Sequence, residues 1–376
     1  MTDGATTGAD PRADDIRYMR FALALGHRNL GRTWPNPSVG AVVVADGLIV
    51  GQGVTAPGGR PHAEPTALAM AGAAARGATL YVSLEPCSHH GRTPPCTDAI
   101  VAAGIARVVT ALEDPDPRVA GQGHGLLRAA GLTVSTGILA PEAARDHRGH
   151  ITRVTKGRPS LHLKLAQTRD GFAGAPAERL RITGPIADGA VHLWRAHADA
   201  ILVGIGTARA DDPALTVRLP GLADRSPLRI VLDSSLRILP STYLVRSARD
   251  IPTLVVTTRR APIHAKRMLA SFGVEVIGVD SDRTGRIDLA AALQVLAERG
   301  ITRVCCEGGP HLADALAAAD LVDVFTRITG PNALGGSGGL PAIGPALAER
   351  LASGHLIPVE TRDLGPDRAV TFERSV

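Results

Sequence analysis

The chain is poor in aromatic residues, which make up only 3% of its 376 residues. Proteins that grip single-stranded nucleic acids stack the bases on aromatic side chains, so this scarcity argues against such a surface. Lysine is also rare and occurs only at Lys156, Lys164 and Lys266, while the arginines are spread along the whole chain. The net charge of +5 therefore indicates a solvated surface, and it is compatible with phosphorylated small-molecule substrates.

Long apolar runs are absent, since no stretch approaches the roughly 20 apolar residues that span a bilayer. Residues 1–15 are polar and acidic without the apolar core of a secretory signal, and we predict that they form a disordered lead-in. Only four cysteines are present, and Cys305 and Cys306 are adjacent, so no disulfide framework is expected. These features predict a cytoplasmic protein.

The length exceeds one typical core and predicts two domains. In the first half, an apolar helical pattern covers residues 16–30, and Ala45-Asp46-Gly47 is typical of a hairpin turn between strands at 39–44 and 48–51. Further strands are predicted at 79–84, 106–111 and 133–138. Charged residues, glycine and proline cluster between residues 144 and 160, so we place the two domains at 16–148 and 149–376.

The second half alternates between the two element types, which predicts a largely parallel sheet. The predicted strands cover 161–165, 200–203, 228–232, 253–256 and 274–279, and the predicted helices cover 186–198, 263–272 and 289–299. The turn Glu307-Gly308-Gly309-Pro310 leads into a helix at 311–318. This turn is either a phosphate cradle at a helix start or a plain tight turn.

Three soft metal ligands and one acid form the clearest chemical pattern in the chain. His62 and Glu64 are two residues apart, and Cys87 follows Pro86 and precedes Cys96 by nine residues. Three protein ligands leave a position for water, as in catalytic zinc sites, whereas structural sites use four. Glu64 is placed to accept the proton of that water. The alternative is a closed structural site in which His89 or His90 supplies a fourth ligand, but Glu64 would then have no role.

This pattern resembles the H-x-E…P-C-x-x-C signature of zinc deaminases, except that eight residues separate the two cysteines. A larger set of motifs resembles the bifunctional riboflavin-biosynthesis family, in which a pyrimidine deaminase is fused to a reductase. The long cysteine spacing is specific to that family among zinc deaminases. The similar segments are Thr33–Ala41, Pro61–Glu64, Leu84–Asp98, Leu163–Ala166, Asp170-Gly171, Ala210–Arg218, Glu307–Pro310, Leu334–Gly336 and Gly365–Asp367.

The resemblance implies a cytidine-deaminase-like zinc domain with α/β/α layers, followed by a dihydrofolate-reductase-like α/β domain with a mostly parallel sheet. It implies deamination of 2,5-diamino-6-(5-phosphoribosylamino)pyrimidin-4-one and then reduction of the ribosyl group to ribityl. The implied cofactors are Zn²⁺ and NADPH. The expected partner is a phosphorylated pyrimidine and not nucleic acid or a membrane, and a homo-oligomer is expected.

The resemblance also implies roles for individual residues. His62, Cys87 and Cys96 would hold zinc, Glu64 would transfer protons, and Asn36 and Arg92 would contact the deaminase substrate. The nicotinamide nucleotide would lie near Ala166, Thr207, Asp211, Ser234 and Gly309. The reductase substrate would lie near Lys164, Arg195, Leu215, Arg218 and Glu307.

The chain departs from the family pattern at several positions. Thr55 stands where many members carry histidine, and Arg179 and Arg181 replace a serine and a tryptophan that normally helps cover the cofactor. Two alternatives follow. One is a deaminase with an inactive or altered reductase-like domain, and the other is a nucleic-acid base deaminase, against which the cysteine spacing and the low aromatic content both argue.

Overall fold

A computed structural model describes residues 11–91, 93–174, 180–335 and 338–375. The chain divides into two compact units, Met1–Lys156 and Gly157–Val376. The predicted boundary at 148/149 lies eight residues earlier. The last helix before the division belongs to the first unit because the ring of His150 contacts Asp114 Oδ1 at 2.9 Å, and His147 just before it contacts Ser83 Oγ at 3.1 Å.

The first unit is a five-stranded sheet in the order β2-β1-β3-β4-β5, in which β1 is antiparallel to β2 and β3 and the remaining pairs are parallel. Its elements are α1 (Pro11–His27), β1 (Gly40–Ala45), β2 (Leu48–Val54), α2 (Ala63–Ala71), β3 (Thr79–Val82), α3 (Cys96–Ala102), β4 (Arg107–Thr110), α4 (Gln122–Ala129), β5 (Thr133–Thr136), α5 (Ala140–Asp146) and α6 (Arg148–Lys156). The predicted hairpin is confirmed, and positive φ angles of 50° at Asp46 and 75° at Gly47 explain its Asp-Gly turn.

Helices cover both faces of this sheet, which confirms the α/β/α prediction. Successive strand residues point to opposite faces. Val42, Val44 and Tyr81 pack on the face covered by α1. On the other face, Val43 and Leu80 pack in a core to which α2, α3 and α4 contribute.

The prediction that residues 11–15 belong to a disordered lead-in is wrong, because α1 already begins at Pro11. Asp15 is buried and accepts hydrogen bonds from Arg107 at 2.8 and 2.7 Å and from the Tyr81 hydroxyl at 2.9 Å. These contacts fix the first turns of α1 to the sheet. Residues 1–10 lie outside the described part of the chain.

The second unit contains a nine-stranded sheet in the order β11-β10-β9-β8-β12-β6-β13-β16-β15 and a two-stranded ribbon of β14 and β7. Its elements are β6 (Ser160–Gln167), β7 (Phe172–Gly174), α7 (Pro185–Ala196), β8 (Ala200–Gly204), α8 (Ile205–Asp211), β9 (Leu228–Leu232), α9 (Tyr243–Arg246), β10 (Thr253–Thr258), α10 (Ile263–Ser271), β11 (Glu275–Val279), α11 (Leu289–Glu298), β12 (Arg303–Cys306), α12 (Pro310–Ala318), β13 (Val324–Thr329), β14 (Leu340–Pro341), α13 (Pro345–Ala352), β15 (Leu356–Leu364) and β16 (Asp367–Arg374).

Seven of the nine strands run parallel, which confirms the mostly parallel sheet. The last two form an antiparallel hairpin at one edge that was not predicted. Strand β15 is exposed along nearly its whole length, so its sequence lacks the alternation of apolar and polar residues that marks a half-buried strand. Within the described ranges, no helix is both long and apolar enough to cross a membrane.

Candidate functional site

The first candidate site begins at the start of α2. His62 is the residue directly before this helix, and Glu64 lies in its first turn. Pro65 is the third helical residue, where a missing amide hydrogen removes no helical hydrogen bond. The local sequence therefore places the histidine and the acid on one helix start, beside the loop that follows β3.

The three predicted ligand atoms converge. The Nδ1 atom of His62 lies 3.4 Å from the Sγ atom of Cys96 and 3.7 Å from that of Cys87, and all three atoms lie within 4.8 Å of one another. Bonds of about 2.3 Å to sulfur and about 2.0–2.1 Å to nitrogen in a tetrahedron place such atoms roughly 3.5 Å apart. The residues therefore fit a zinc ion. Within the described chain, neither His89 nor His90 joins this group, so the closed structural site is not supported.

The environment of Cys87 favours the thiolate that a metal requires. Hydrogen bonding from Cys96 and His62 lowers the pKa of the Cys87 thiol to about 4, although burial opposes this shift. The backbone amide of Cys96, the first residue of α3, donates to Cys87 Sγ at 3.3 Å. The helix start thus stabilises negative charge on sulfur.

Glu64 is buried, with only 4% of its surface exposed. Burial, and then the nearby negative charge of Cys87, raise the pKa of its carboxyl group to about 7. A group with such a pKa can both accept and return a proton near neutral pH. The arrangement therefore brings a proton carrier to a three-ligand metal site.

Asn36 is half-buried, and its amide nitrogen donates to the Gly59 carbonyl at 2.8 Å. Gly59 has φ of 86°, and a β-carbon there would lie 2.7 Å from that nitrogen. The side chain of Thr55 is turned away from a ligand role, because its hydroxyl accepts from the Val39 amide at 3.0 Å. Arg92 lies outside the described residues.

Glu85, a buried acid at the end of the strand segment that leads to Cys87, was not predicted as a functional residue. Its carboxylate accepts hydrogen bonds from the backbone amides of Asp114 at 3.2 Å, Gly121 at 3.0 Å and His124 at 3.1 Å. Glu85, Glu113 and His124 form a second group of clustered acids and histidine. Because the oxygens of Glu85 already accept hydrogen bonds from these amides, we interpret Glu85 as the anchor of segment 113–124, which leads into α4. An acid directly before Pro86-Cys87 was the available signal.

The second candidate site is a cleft of about 1470 Å³ in the second unit. Four of the five predicted cofactor residues line it: Thr207, Asp211, Ser234 and Gly309. They follow the carboxyl ends of β8, β9 and β12, where open α/β sheets bind ligands. The cleft has the size and position that a dinucleotide requires. Ala166, on β6, is not among the lining residues.

The glycine turn before α12 contributes to this cleft. Gly309 is the residue preceding the helix, and its amide donates to the hydroxyl of Thr207 at 3.1 Å. This bond joins the segments after β8 and β12. It also occupies the Gly309 amide, so the phosphate cradle proposed for this turn would need other donors.

Arg195 and Glu307, two predicted substrate residues, are bonded to each other. The Nε and Nη2 atoms of Arg195 donate to the two carboxylate oxygens at 2.6 and 2.8 Å, and Nη1 donates to the Thr216 carbonyl at 3.0 Å. The two side chains are only 11% and 10% exposed. Burial raises the pKa of Glu307, but the hydrogen bonds from Arg195 outweigh it, so the pKa is lowered.

The other predicted substrate residues have different surroundings. Lys164 lies on β6 near enough to Glu307 for its charge to favour the carboxylate. Leu215 is buried, and Arg218 is exposed and donates its backbone amide to the His192 ring at 3.3 Å. Arg181 forms an exposed ion pair with Asp188 at 3.0 Å. Arg179 falls in a range that is not described.

Comparisons with known proteins match both units. The model of the cytidine and deoxycytidylate deaminase zinc-binding region matches residues 12–112, and that of the RibD C-terminal domain matches residues 159–369. The riboflavin biosynthesis protein RibD of Escherichia coli (strain K12) is 42% identical over 342 residues, which covers 85% of this chain and 89% of that protein. RibD of Aquifex aeolicus (strain VF5) is 40% identical and covers 86% and 89%.

Two solved structures resemble the whole chain. RibD of Acinetobacter baumannii has a TM-score of 0.84 at 32% identity and covers 97% of this chain and 100% of its own. A diaminohydroxyphosphoribosylaminopyrimidine deaminase/5-amino-6-(5-phosphoribosylamino)uracil reductase from Thermotoga maritima has a TM-score of 0.83 at 33% identity, with the same coverage.

Proposed function

Because the chain belongs to the RibD family of bifunctional riboflavin biosynthesis proteins, we propose which substrates it acts on and which residues take part. The protein combines a zinc-dependent deaminase with an NADPH-dependent reductase. We propose that the first unit deaminates 2,5-diamino-6-(5-phosphoribosylamino)pyrimidin-4-one and that the second reduces the ribosyl group of the product to ribityl. The name of the Thermotoga maritima protein supports this pair of substrates.

The observation that carries the deaminase assignment is the convergence of three ligand atoms beside a buried acid. His62, Cys87 and Cys96 would hold zinc, which supplies Lewis acidity and so makes water a nucleophile at neutral pH. Glu64 accepts a proton from the water whose oxygen bonds to the amino-bearing ring carbon. It passes this proton to the adjacent ring nitrogen, and it then transfers the proton of the new hydroxyl group to the departing amino group, which leaves as ammonia while the carbonyl forms. Its burial excludes bulk water from this transfer.

Asn36 would bind the pyrimidine. The bond from its amide nitrogen to Gly59 holds the amide plane in place, which orients the amide oxygen as an acceptor. Arg92 is proposed as a further substrate residue on the strength of the resemblance alone.

In the second unit, NADPH would supply the hydride for the opened sugar carbon. Thr207, Asp211, Ser234 and Gly309 would hold the nucleotide in the cleft that they line, with Ala166 on the neighbouring strand. Lys164, Arg195, Leu215, Arg218 and Glu307 would surround the substrate. Three of the five N–H donors of Arg195 are engaged by Glu307 and Thr216, so two remain for a phosphate oxygen.

The direct test is a paired assay of ammonia release and NADPH oxidation with the diaminopyrimidine substrate. We expect both, in that order. The matched variant Glu64→Gln should lose ammonia release by roughly 10²–10⁴-fold, retain its zinc, and still oxidise NADPH when given the deaminated product. Ammonia release without NADPH oxidation would support the deaminase-only alternative. Activity on single-stranded nucleic acid instead would support the base-deaminase alternative.

We further propose that the protein is a cytoplasmic homo-oligomer. The four cysteines are all unpaired, which suits a reducing compartment, and two of them must stay reduced to bind metal. Light scattering coupled to size-exclusion chromatography tests the assembly, and a single species of 38.9 kDa would contradict it.

A further inference from the structure

Arg60 lies between the two segments that carry the metal ligands. It stands two residues before His62, and its Nη1 atom donates a hydrogen bond to the hydroxyl of Thr93, in the loop between Cys87 and Cys96. A β-carbon added at Gly91 of the same loop would lie 3.3 Å from the Nη2 atom of Arg60. The guanidinium group therefore bridges the helix-start segment and the cysteine loop.

The charge of Arg60 is not neutralised by any carboxylate in the described part of the chain, where its side chain contacts the neutral hydroxyl of Thr93. Arg118, also in the first unit, differs because Asp116 pairs with it. A guanidinium has five N–H donors, so the bond to Thr93 leaves four. Arg60 is half-buried as a residue, and the hydrogen bond of its guanidinium to Thr93 is exposed, so a ligand from solvent can reach this group.

The residue before Arg60 links it to the proposed pyrimidine contact. Asn36 donates to the carbonyl of Gly59 at 2.8 Å, and Gly59 is bonded to Arg60 in the chain. The side chain proposed to bind the ring and the guanidinium are thus held by one short segment. If the substrate ring contacts Asn36, the remaining groups of the substrate would extend along the Gly59–Arg60 segment.

We propose that Arg60 binds the phosphate group of the deaminase substrate and so helps select phosphorylated pyrimidines. This inference rests on the proposed deaminase function. A guanidinium matches phosphate geometry with two parallel hydrogen bonds, and its anchor on Thr93 limits the conformational freedom that would be lost on binding.

The test compares two substrates that differ only in the phosphate group. Wild type, Arg60→Gln and Arg60→Lys are assayed for ammonia release with the phosphoribosylamino substrate and with its dephosphorylated form. Arg76→Gln is the control, because it removes an equal positive charge from an exposed arginine. Arg76 lies before the start of β3, whereas the loop that carries the cysteine ligands follows the end of that strand. Zinc content and NADPH oxidation with deaminated product report folding of each unit.

We expect Arg60→Gln to lower kcat/KM for the phosphorylated substrate by roughly 10- to 100-fold, mainly through KM, and to leave the dephosphorylated one unchanged. Arg60→Lys should recover part of the loss, and ribose 5-phosphate should inhibit wild type more strongly than Arg60→Gln. Equal losses on both substrates, or no loss on either, would overturn the proposal. Absence of ammonia release from zinc-loaded wild type would instead refute the deaminase function itself.

Discussion

The ion pair between Arg195 and Glu307 makes a quantitative prediction about the second unit. Replacing Arg195 with methionine keeps an unbranched side chain but removes two bonds to the carboxylate, at 2.6 and 2.8 Å, and one to Thr216. Breaking a buried pair by removing one partner costs about 3–5 kcal/mol, because the remaining charge is left without compensation. We expect the Arg195→Met variant to lose that much free energy of unfolding at pH 7.

The loss should depend on pH. In wild type the pKa of Glu307 lies below its ordinary value, so its stabilising contribution is present above about pH 4.3 and is lost as pH falls through the folded pKa. In the variant, burial acts without Arg195 and raises the folded pKa above the unfolded one. Protonation then relieves the buried charge, and the difference from wild type should shrink by roughly 1–2 kcal/mol between pH 7 and pH 5.

The two tryptophans make the measurement specific to one unit. Trp34 lies in the first unit and Trp194 in the second, next to Arg195 and 5.5 Å from the ring of His162. In a Trp34→Phe background, urea unfolding followed by fluorescence reports the second unit alone. A double variant, Arg195→Met with Glu307→Leu, is the control and should be more stable than Arg195→Met. A loss below about 1 kcal/mol, or one that is equal at both pH values, would refute the reasoning.

Three further predictions concern the first unit. Glu85→Ala should lower the free energy of unfolding by at least about 2 kcal/mol, because three backbone amides lose their acceptor. Trp34 fluorescence during urea unfolding, in a Trp194→Phe background, measures this loss. Gly59→Ala should raise KM for ammonia release at unchanged zinc content, because the new β-carbon would displace Asn36, and an unaltered KM would contradict this. Removing zinc with a chelator should abolish ammonia release and leave NADPH oxidation with the deaminated product intact. Loss of both activities would contradict the expectation that the two sites work independently.

The metal site could be read from the sequence because its ligands are defined by residue type and spacing. His62 and Glu64 are fixed relative to each other by one helix start, and Cys96 begins the next helix. Glu85 could not be recognised in the same way. Its partners are backbone amides some 30 to 40 residues further along the chain. Because nearly every residue type has a backbone amide, the sequence does not show which ones bind Glu85.

The structure of the second unit was harder to predict from the sequence for a similar reason. The buried, apolar strands β9 and β10 were predicted, whereas the parallel strand β13 and the exposed edge strand β15 were not. The resemblance supplied Arg195 and Glu307 as substrate residues, but no sequence pattern indicated that they bond to each other. Such pairing depends on where helix α7 sits on the sheet, with Ala187 and Val191 packed against Ile328 of β13 and Ala369 of β16, which is tertiary information.

The substitution of the family's usual tryptophan by Arg181 is compatible with a working cofactor cleft. The guanidinium of Arg181 is held outside by Asp188, in the first turn of α7, at 3.0 Å, and its side chain is 74% exposed. The adjacent Leu180 lines the cleft instead, together with Leu340 of the β14 ribbon strand. These two leucines would supply apolar cover for a cofactor bound in the cleft, while the Arg181 side chain is exposed to solvent. The arginine thus removes an aromatic surface without adding a buried charge, which is consistent with the reductase activity of the family.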